Sequence, residues 1–181
     1  MNLNLLRKAL LLMATGMLSM MYAPIANAAD GTINDQVVRQ KEVDNGGSGR
    51  YRAIVVSEKT LPDFTVYRPR DVQFAARREG ALPILIWCNG ACSGSSIGYE
   101  RMLNEMASHG YVVVGIGSFE MVDSERDDGG SSETMVVNAI NWLVRQSRLK
   151  NSDYYKAIDV NNIALSGHSC PATLHDGFWD A

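Results

Sequence analysis

The chain of 181 residues lacks an excess of positive charge. It contains 17 lysines and arginines against 20 aspartates and glutamates, which gives a net charge of -3 at neutral pH. No run of basic residues stands out along the chain. Because recognition of a phosphate backbone depends on such basic clusters, we expect no nucleic acid partner. The length and the 46% share of apolar residues are typical of one globular domain.

Cysteine and histidine are scarce, with three residues of each. The cysteines are too few for a disulfide scaffold, and their odd number leaves at least one thiol free or paired with another chain. The spacings that come nearest to those of a metal site join Cys88 to Cys92 and His168 to Cys170. A tetrahedral site needs a full set of convergent ligands at paired spacings, and these are absent. We therefore expect neither a metal ion nor a cofactor.

An extended apolar segment occurs only at the N-terminus. Two basic residues precede an apolar run over residues 9–18, and the small-x-small motif Ala26-Asn27-Ala28 follows it. This order predicts a signal peptide over residues 1–28, cleaved after Ala28. The alternative is a transmembrane anchor, but a span needs about 20 apolar residues and Pro24 interrupts this one. We expect a secreted or periplasmic protein with no stable membrane span once the signal is removed.

Residues 29–50 are polar and contain the glycine-rich stretch Asn45-Gly46-Gly47-Ser48-Gly49. This composition predicts a flexible N-terminal arm, followed by one domain over residues 51–181. In the domain, β-branched and aromatic runs predict two antiparallel opening strands, and continuous apolar runs predict three strands buried on both faces. The first pair is Tyr51–Ser57 and Phe64–Arg68, and the other three are Ile84–Trp87, Tyr111–Ile116 and Ile163–Leu165.

Two segments between these strands have the period of an α-helix. The first ends at His109, with Gly110 placed as a left-handed C-terminal cap. The second follows serines and acidic residues suited to its N-terminus and puts Met135, Ala139, Trp142 and Leu143 on one face. Strands that alternate with helices predict an α/β fold with a mostly parallel sheet flanked by helices.

The last predicted strand runs directly into Gly167-His168-Ser169-Cys170, a Gly-x-Ser-x sequence. In this position the motif resembles the nucleophile elbow of α/β-hydrolases, in which a serine occupies a strained backbone position at the end of a strand. The order of elements from Tyr51 to Ser169 is similar to the N-terminal part of that fold, and most similar to dienelactone hydrolases and secreted esterases. The alternative is an ordinary turn of glycine and serine.

The resemblance implies a serine hydrolase that cleaves carboxylic esters, with Ser169 as its nucleophile. It also implies that the loop after the third strand is the oxyanion loop, whose N–H groups stabilise the charged oxygen of the tetrahedral intermediate. The donors would be the N–H of Ala91, or of its neighbour, and the N–H of Cys170. Because both donors face one oxygen, the resemblance places Cys92 close enough to Cys170 for a disulfide in an oxidising compartment. Cys88 is expected to remain a buried free thiol.

The catalytic acid and histidine of that family have no clear match in the sequence. The family's order is serine, then acid, then histidine, but only twelve residues follow Ser169, and Pro171 stands where the motif has its second glycine. We therefore expect a family member that is cut short soon after the elbow. His175 is the histidine that the tail could bring to the serine. His109, at a helix end, and His168, beside the serine, are expected to be structural.

Two hypotheses for function follow. The first is a serine hydrolase for a small-molecule or polymeric carboxylic ester, impaired by the missing acid and histidine. The second is a noncatalytic remnant or binding module that keeps the shape of the site. Under either hypothesis, the strand Ile163–Leu165 would form an exposed apolar edge that promotes self-association.

Overall fold

A computed structural model describes residues 36–119 and 131–169 of the chain, with only the backbone of Cys92. The predicted signal peptide, Cys170 and His175 lie outside the described residues. In the described part, no helix combines the length and the apolar character needed to cross a membrane.

The described residues form a six-stranded sheet and three helices. The strands are β1 (Val37–Lys41), β2 (Ala53–Glu58), β3 (Leu61–Pro69), β4 (Leu82–Cys88), β5 (Val112–Ile116) and β6 (Ile158–Gly167). The helices are α1 (Val72–Glu79), α2 (Glu100–Ser108) and α3 (Glu133–Gln146). The five predicted strands and both predicted helices are therefore present, whereas β1 and α1 are additional.

The strand order is β1-β2-β3-β5-β4-β6. The pairs β1–β2, β2–β3 and β3–β5 are antiparallel, and only β5–β4 and β4–β6 are parallel. The expected mostly parallel sheet is therefore wrong for the described residues, which form a mixed sheet. The predicted antiparallel pair is present as β2 and β3, whereas β1 adds a second antiparallel pair and β3 forms a third with β5.

Helices cover both faces of the sheet because the inner strands alternate their buried side chains between two cores. Ile84 and Ile86 of β4 belong to the core beneath α1 and α3, whereas Leu85 and Trp87 belong to the core beneath α2. Such strands are apolar at every position, as the continuous runs in the sequence predict. The α2 helix ends at Ser108, one residue before the predicted end, with His109 as its C-cap, and Gly110 has a φ of 97°.

The α1 helix gives little signal in the sequence because it is short and mostly exposed. Asp71 caps it by accepting a hydrogen bond of 2.7 Å from the backbone N–H of Phe74. Only Val72 and Ala75 of the helix are buried. Two buried positions in eight residues are too few to establish a helical period.

The predicted flexible arm is wrong for residues 37–50. β1 pairs with β2, and the glycine-rich stretch packs on α2: the N–H of Gly49 donates to Ser108 Oγ over 2.9 Å. A Cβ atom at Gly49 would lie 2.2 Å from the carbonyl oxygen of Ser108. The glycines therefore permit close approach to the helix, a role that composition does not distinguish from flexibility.

The turn that leads into β6 is fixed by a buried polar cluster. Tyr154 Oη donates a hydrogen bond of 2.5 Å to Glu58 Oε1, and Arg68 forms a 3.1 Å ion pair with Asp153. Glu58 is only 2% exposed. Burial is the main cause that raises the pKa of the Glu58 carboxyl above its ordinary value of 4.5.

We predict that Glu58 makes the folded state less stable as the pH rises. Its pKa is higher in the folded chain, so the folded state retains the proton longer, and stability declines as pH rises from about 4.5 through the folded-state pKa. Glu58→Gln should flatten this decline in urea unfolding followed between acid and neutral pH. Glu105→Gln is the control of opposite sign, because hydrogen bonds from Ser48 lower the pKa of Glu105 to about 2. Parallel curves for the wild type and Glu58→Gln would contradict the prediction.

The two edges of the sheet differ in charge. β1 carries Arg39 and Lys41, whereas β6 has no charged residue after Asp159. In β6, Ala164 is exposed, and its neighbours Ile163 and Leu165 are partly buried against the core. Charged residues protect an edge strand from pairing with another chain, so β6 is the less protected edge of the described sheet.

We predict that the protein self-associates through β6 at concentrations of roughly 10–100 μM. Ala164→Lys adds an exposed charge to this edge and should shift the light-scattering mass toward the monomer. Val38→Lys is the matched control on β1, where Val38 is 59% exposed. A monomeric wild type, or equal effects of the two lysines, would contradict the prediction.

Candidate active site

The parallel pairing of β4 and β6 brings two distant parts of the sequence together. Cys88 at the end of β4 is in register with Gly167 at the end of β6. The backbone N–H of His168 continues the ladder with a 3.1 Å hydrogen bond to the carbonyl oxygen of Cys88. The loop that begins at Asn89 and the turn that contains Ser169 therefore start side by side, at the carboxyl ends of parallel strands, where α/β proteins bind ligands.

Ser169 has a φ of 65° and is exposed. A left-handed backbone at a residue other than glycine is uncommon and costs about 1–3 kcal/mol, so it persists only where the surrounding structure imposes it. Such a strained serine at the end of a strand is the backbone geometry of a nucleophile elbow. The geometry supports the interpretation of the Gly-x-Ser-x motif as an elbow.

The loop after β4 has a second left-handed residue, Ala91, with a φ of 53° and a ψ of 23°. The fully buried Asn89 holds the start of this loop. Its Nδ2 donates to the carbonyl oxygens of Ser93 (2.8 Å) and Ile116 (2.6 Å), and its backbone N–H donates to Ser131 Oγ (3.1 Å). Asn89 thus connects the loop to β5 and to the residue before the N-cap of α3.

The far end of the loop is attached to β3 and β5. The buried Ser96 hydroxyl lies 2.9 Å from the hydroxyl of Tyr67, and burial raises the pKa of Tyr67 to about 12. At Gly117, after β5, a Cβ atom would lie 2.2 Å from the carbonyl oxygen of Gly94. The loop is therefore held against the sheet before any ligand binds, which is the preorganisation that an oxyanion site requires.

Tyr99 connects the loop to the serine turn. Its hydroxyl accepts a 3.3 Å hydrogen bond from the N–H of Gly90 and lies 2.9 Å from His168 Nδ1. Its ring packs against the buried Trp87, with 5.0 Å between ring centroids. Neither Tyr99 nor Asn89 was predicted from the sequence as a site residue. The available signal for Asn89 was a polar residue directly after a buried strand, whereas the position of Tyr99 fits only the apolar period of a helix.

The two described histidines are engaged with other residues. His109 Nε2 lies 3.1 Å from Glu105 Oε1 on the same helix, and His168 contacts Tyr99. His168 is exposed, so its role in structure is this hydrogen bond and not burial in the core. Neither of these contacts joins a histidine to Ser169.

Cys88 is buried and free, as expected, and burial raises its pKa to about 11. The side chain of Cys92 and the whole of Cys170 lie outside the described set, so their predicted proximity stays a prediction. The Cys170 N–H donor and His175 also lie outside it. In the described ranges, no group of three or more histidine, cysteine, aspartate or glutamate side chains converges on one point.

A strained serine at the end of one parallel strand, beside a fixed left-handed loop at the end of the next, defines a protein of the α/β-hydrolase superfamily. The family model described as Chlorophyllase matches residues 45–174, well over half of the chain. The chain belongs to the chlorophyllase family. A comparison with individual curated proteins found no match.

We predict that Gly117→Ala destabilises the protein because it combines a φ of 109° with a clash against backbone. The strained backbone alone should lower the free energy of unfolding by roughly 1–3 kcal/mol. Gly94→Ala is the matched control in the same contact, because a Cβ atom there has no neighbour within 4 Å. Urea unfolding measures both variants. Equal stability of Gly117→Ala and Gly94→Ala would show that the loop does not pack closely against Gly117.

Proposed function

We propose that the protein carries the nucleophilic site of a carboxylic ester hydrolase, with Ser169 as the nucleophile. The observation that carries the proposal is the left-handed backbone of Ser169 at the end of β6, beside the Ala91 loop at the end of β4. The chlorophyllase family match supports the same chemistry. The proposed substrates are carboxylic esters, either small molecules or polymers.

In the proposed reaction, the Ser169 hydroxyl attacks the ester carbonyl carbon and loses its proton to a base. The carbonyl oxygen becomes negatively charged in the tetrahedral intermediate, and the N–H groups of Ala91 and Cys170 are the proposed donors to it. In a related acyl-transfer enzyme, the loss of one such donor raises the activation barrier by about 2.7–4 kcal/mol. Collapse of the intermediate breaks the bond to the alcohol, which leaves with a proton, and water then hydrolyses the acyl-serine ester.

The base is proposed to be a histidine oriented by an acid, as in other serine hydrolases. His109 contacts Glu105, and His168 contacts Tyr99. His175 therefore stays the proposed candidate, and it lies outside the described residues.

A second candidate function is a noncatalytic binding module that retains the shape of a hydrolase site. The observation that favours it is the engagement of both described histidines away from Ser169. In this case the fixed loop and the serine turn would bind an ester without turnover. For either function, we propose that residues 1–28 direct export to the periplasm or the extracellular space.

We predict that the chain has very low esterase activity on its own and that added imidazole increases it. In the described residues, neither histidine contact reaches Ser169, and without base and acid a serine hydrolase retains about 10³- to 10⁴-fold catalysis over water from oxyanion stabilisation and binding. Imidazole in solution can replace a missing base. The measurement is hydrolysis of p-nitrophenyl acetate and butyrate, with and without imidazole.

Ser169→Ala is the control, because imidazole also hydrolyses these esters by itself. The difference between the two proteins is the rate that depends on Ser169. A difference that grows with imidazole supports the hydrolase site. A high rate without imidazole would show that the chain supplies its own base and would favour His175. No difference under any condition would overturn the hydrolase proposal and favour the binding module.

A further inference from the structure

We propose that Tyr99 is a positioning residue that joins the oxyanion loop to the serine turn through a directed chain of hydrogen bonds. The chain runs from the Gly90 N–H to Tyr99 Oη, and from the Tyr99 O–H to His168 Nδ1. Its role in catalysis rests on the proposed hydrolase function. The hydrogen bonds themselves can be tested without turnover.

The geometry around Gly90 shows how closely the three residues fit. A Cβ atom at Gly90 would lie 2.5 Å from His168 Nδ1 and 2.7 Å from Tyr99 Oη. The position therefore admits only glycine unless the imidazole or the phenol moves. The Tyr99 ring is itself held by Trp87, which is buried at the end of β4. The hydroxyl thus lies at a fixed point between the two strand ends.

Donor and acceptor roles give the chain of hydrogen bonds its direction. A backbone N–H can only donate, so Tyr99 Oη accepts from Gly90. A phenolic hydroxyl is satisfied when it accepts one hydrogen bond and donates another, and the available acceptor is His168 Nδ1, 2.9 Å away. Neutral His168 then carries its proton on Nε2. The residue before the nucleophile would therefore present a fixed N–H donor on an exposed side chain.

The same hydrogen bonds remove one amide of the oxyanion loop from the set of candidate donors. The Gly90 N–H is directed to Tyr99 Oη, so it is not free for the oxygen of an intermediate. The neighbouring left-handed residue, Ala91, is exposed, and its N–H is the proposed donor for that role. Tyr99 would therefore withdraw the Gly90 amide from the substrate.

Long-range ¹H–¹⁵N spectra of the labelled full chain test the proposal. They distinguish protonated from unprotonated imidazole nitrogens, and they are recorded at alkaline pH so that the two neutral tautomers are compared. The His168 signals are assigned by their loss in His168→Gln. Tyr99→Phe removes the hydroxyl and keeps the ring on Trp87. Tyr111→Phe, at an exposed tyrosine, is the matched control.

In the wild type we expect an unprotonated Nδ1 and a protonated Nε2 for His168. In Tyr99→Phe we expect a shift of the Gly90 amide signal and a mixture of imidazole tautomers, neither of which Tyr111→Phe should cause. A wild-type His168 protonated at Nδ1 would overturn the proposal. So would Gly90 and His168 signals that are the same in Tyr99→Phe as in the control.

Gly90→Ala provides a second route to the same result if Tyr99→Phe does not fold. The added methyl group should displace the imidazole or the phenol, because a Cβ atom would contact both, so the fixed tautomer should again be lost. An unchanged His168 spectrum in this variant would overturn the proposal. Because these spectra do not depend on ester hydrolysis, a failure of the hydrolase function and a failure of the hydrogen-bond chain give different results.

Discussion

The parallel pairing of β4 with β6 is the constraint on which the candidate site depends. Its two strands are separated in sequence by α2, β5 and α3, and each strand end supplies one half of the site. A shift of register by one residue would turn the side chains of β6 to the opposite face and move Ser169 away from the Ala91 loop. The buried Glu58–Tyr154 hydrogen bond helps to prevent this shift, because it fixes the turn from which β6 begins.

The site's chemistry rests more on backbone geometry than on side chains. Left-handed residues at Ala91 and Ser169 set the direction of the chain after each strand. Glycines at positions 90 and 117 allow polar atoms and backbone to come closer than any side chain would permit. Such a site is rigid before substrate arrives, so little free energy is lost in ordering it at the moment of reaction.

Much of the fold could be predicted from the sequence because the inner strands are buried on both faces. That burial makes β4 and β5 continuous apolar runs, and their observed bounds differ from the predicted ones by two residues or fewer. β6 begins five residues earlier than predicted, at Ile158, because the exposed pair Asn161 and Asn162 interrupts the apolar pattern at an irregularity in its pairing with β4. β1 depends on its pairing with β2, which no local pattern records. The antiparallel pairing of β3 with β5 was missed for the same reason.

The candidate site could likewise be predicted only where its residues depend on local sequence. Ser169 and the loop of Ala91 follow from a motif and its place after a strand, both of which are local in sequence. Tyr99 acts across a separation of 69 residues from His168, so its role becomes visible only when the strands are paired. The described residues thus contain Ser169 and the Ala91 loop, which are proposed to attack an ester and to receive its charge, and the pairing of β4 with β6 brings them together. Proton transfer requires a different kind of group, a titratable side chain held within reach of the serine by its own orienting partner. The two requirements are physically independent, so the same pairing of strands serves a hydrolase and a binding module alike, and a base held beside Ser169 is what makes the difference between them.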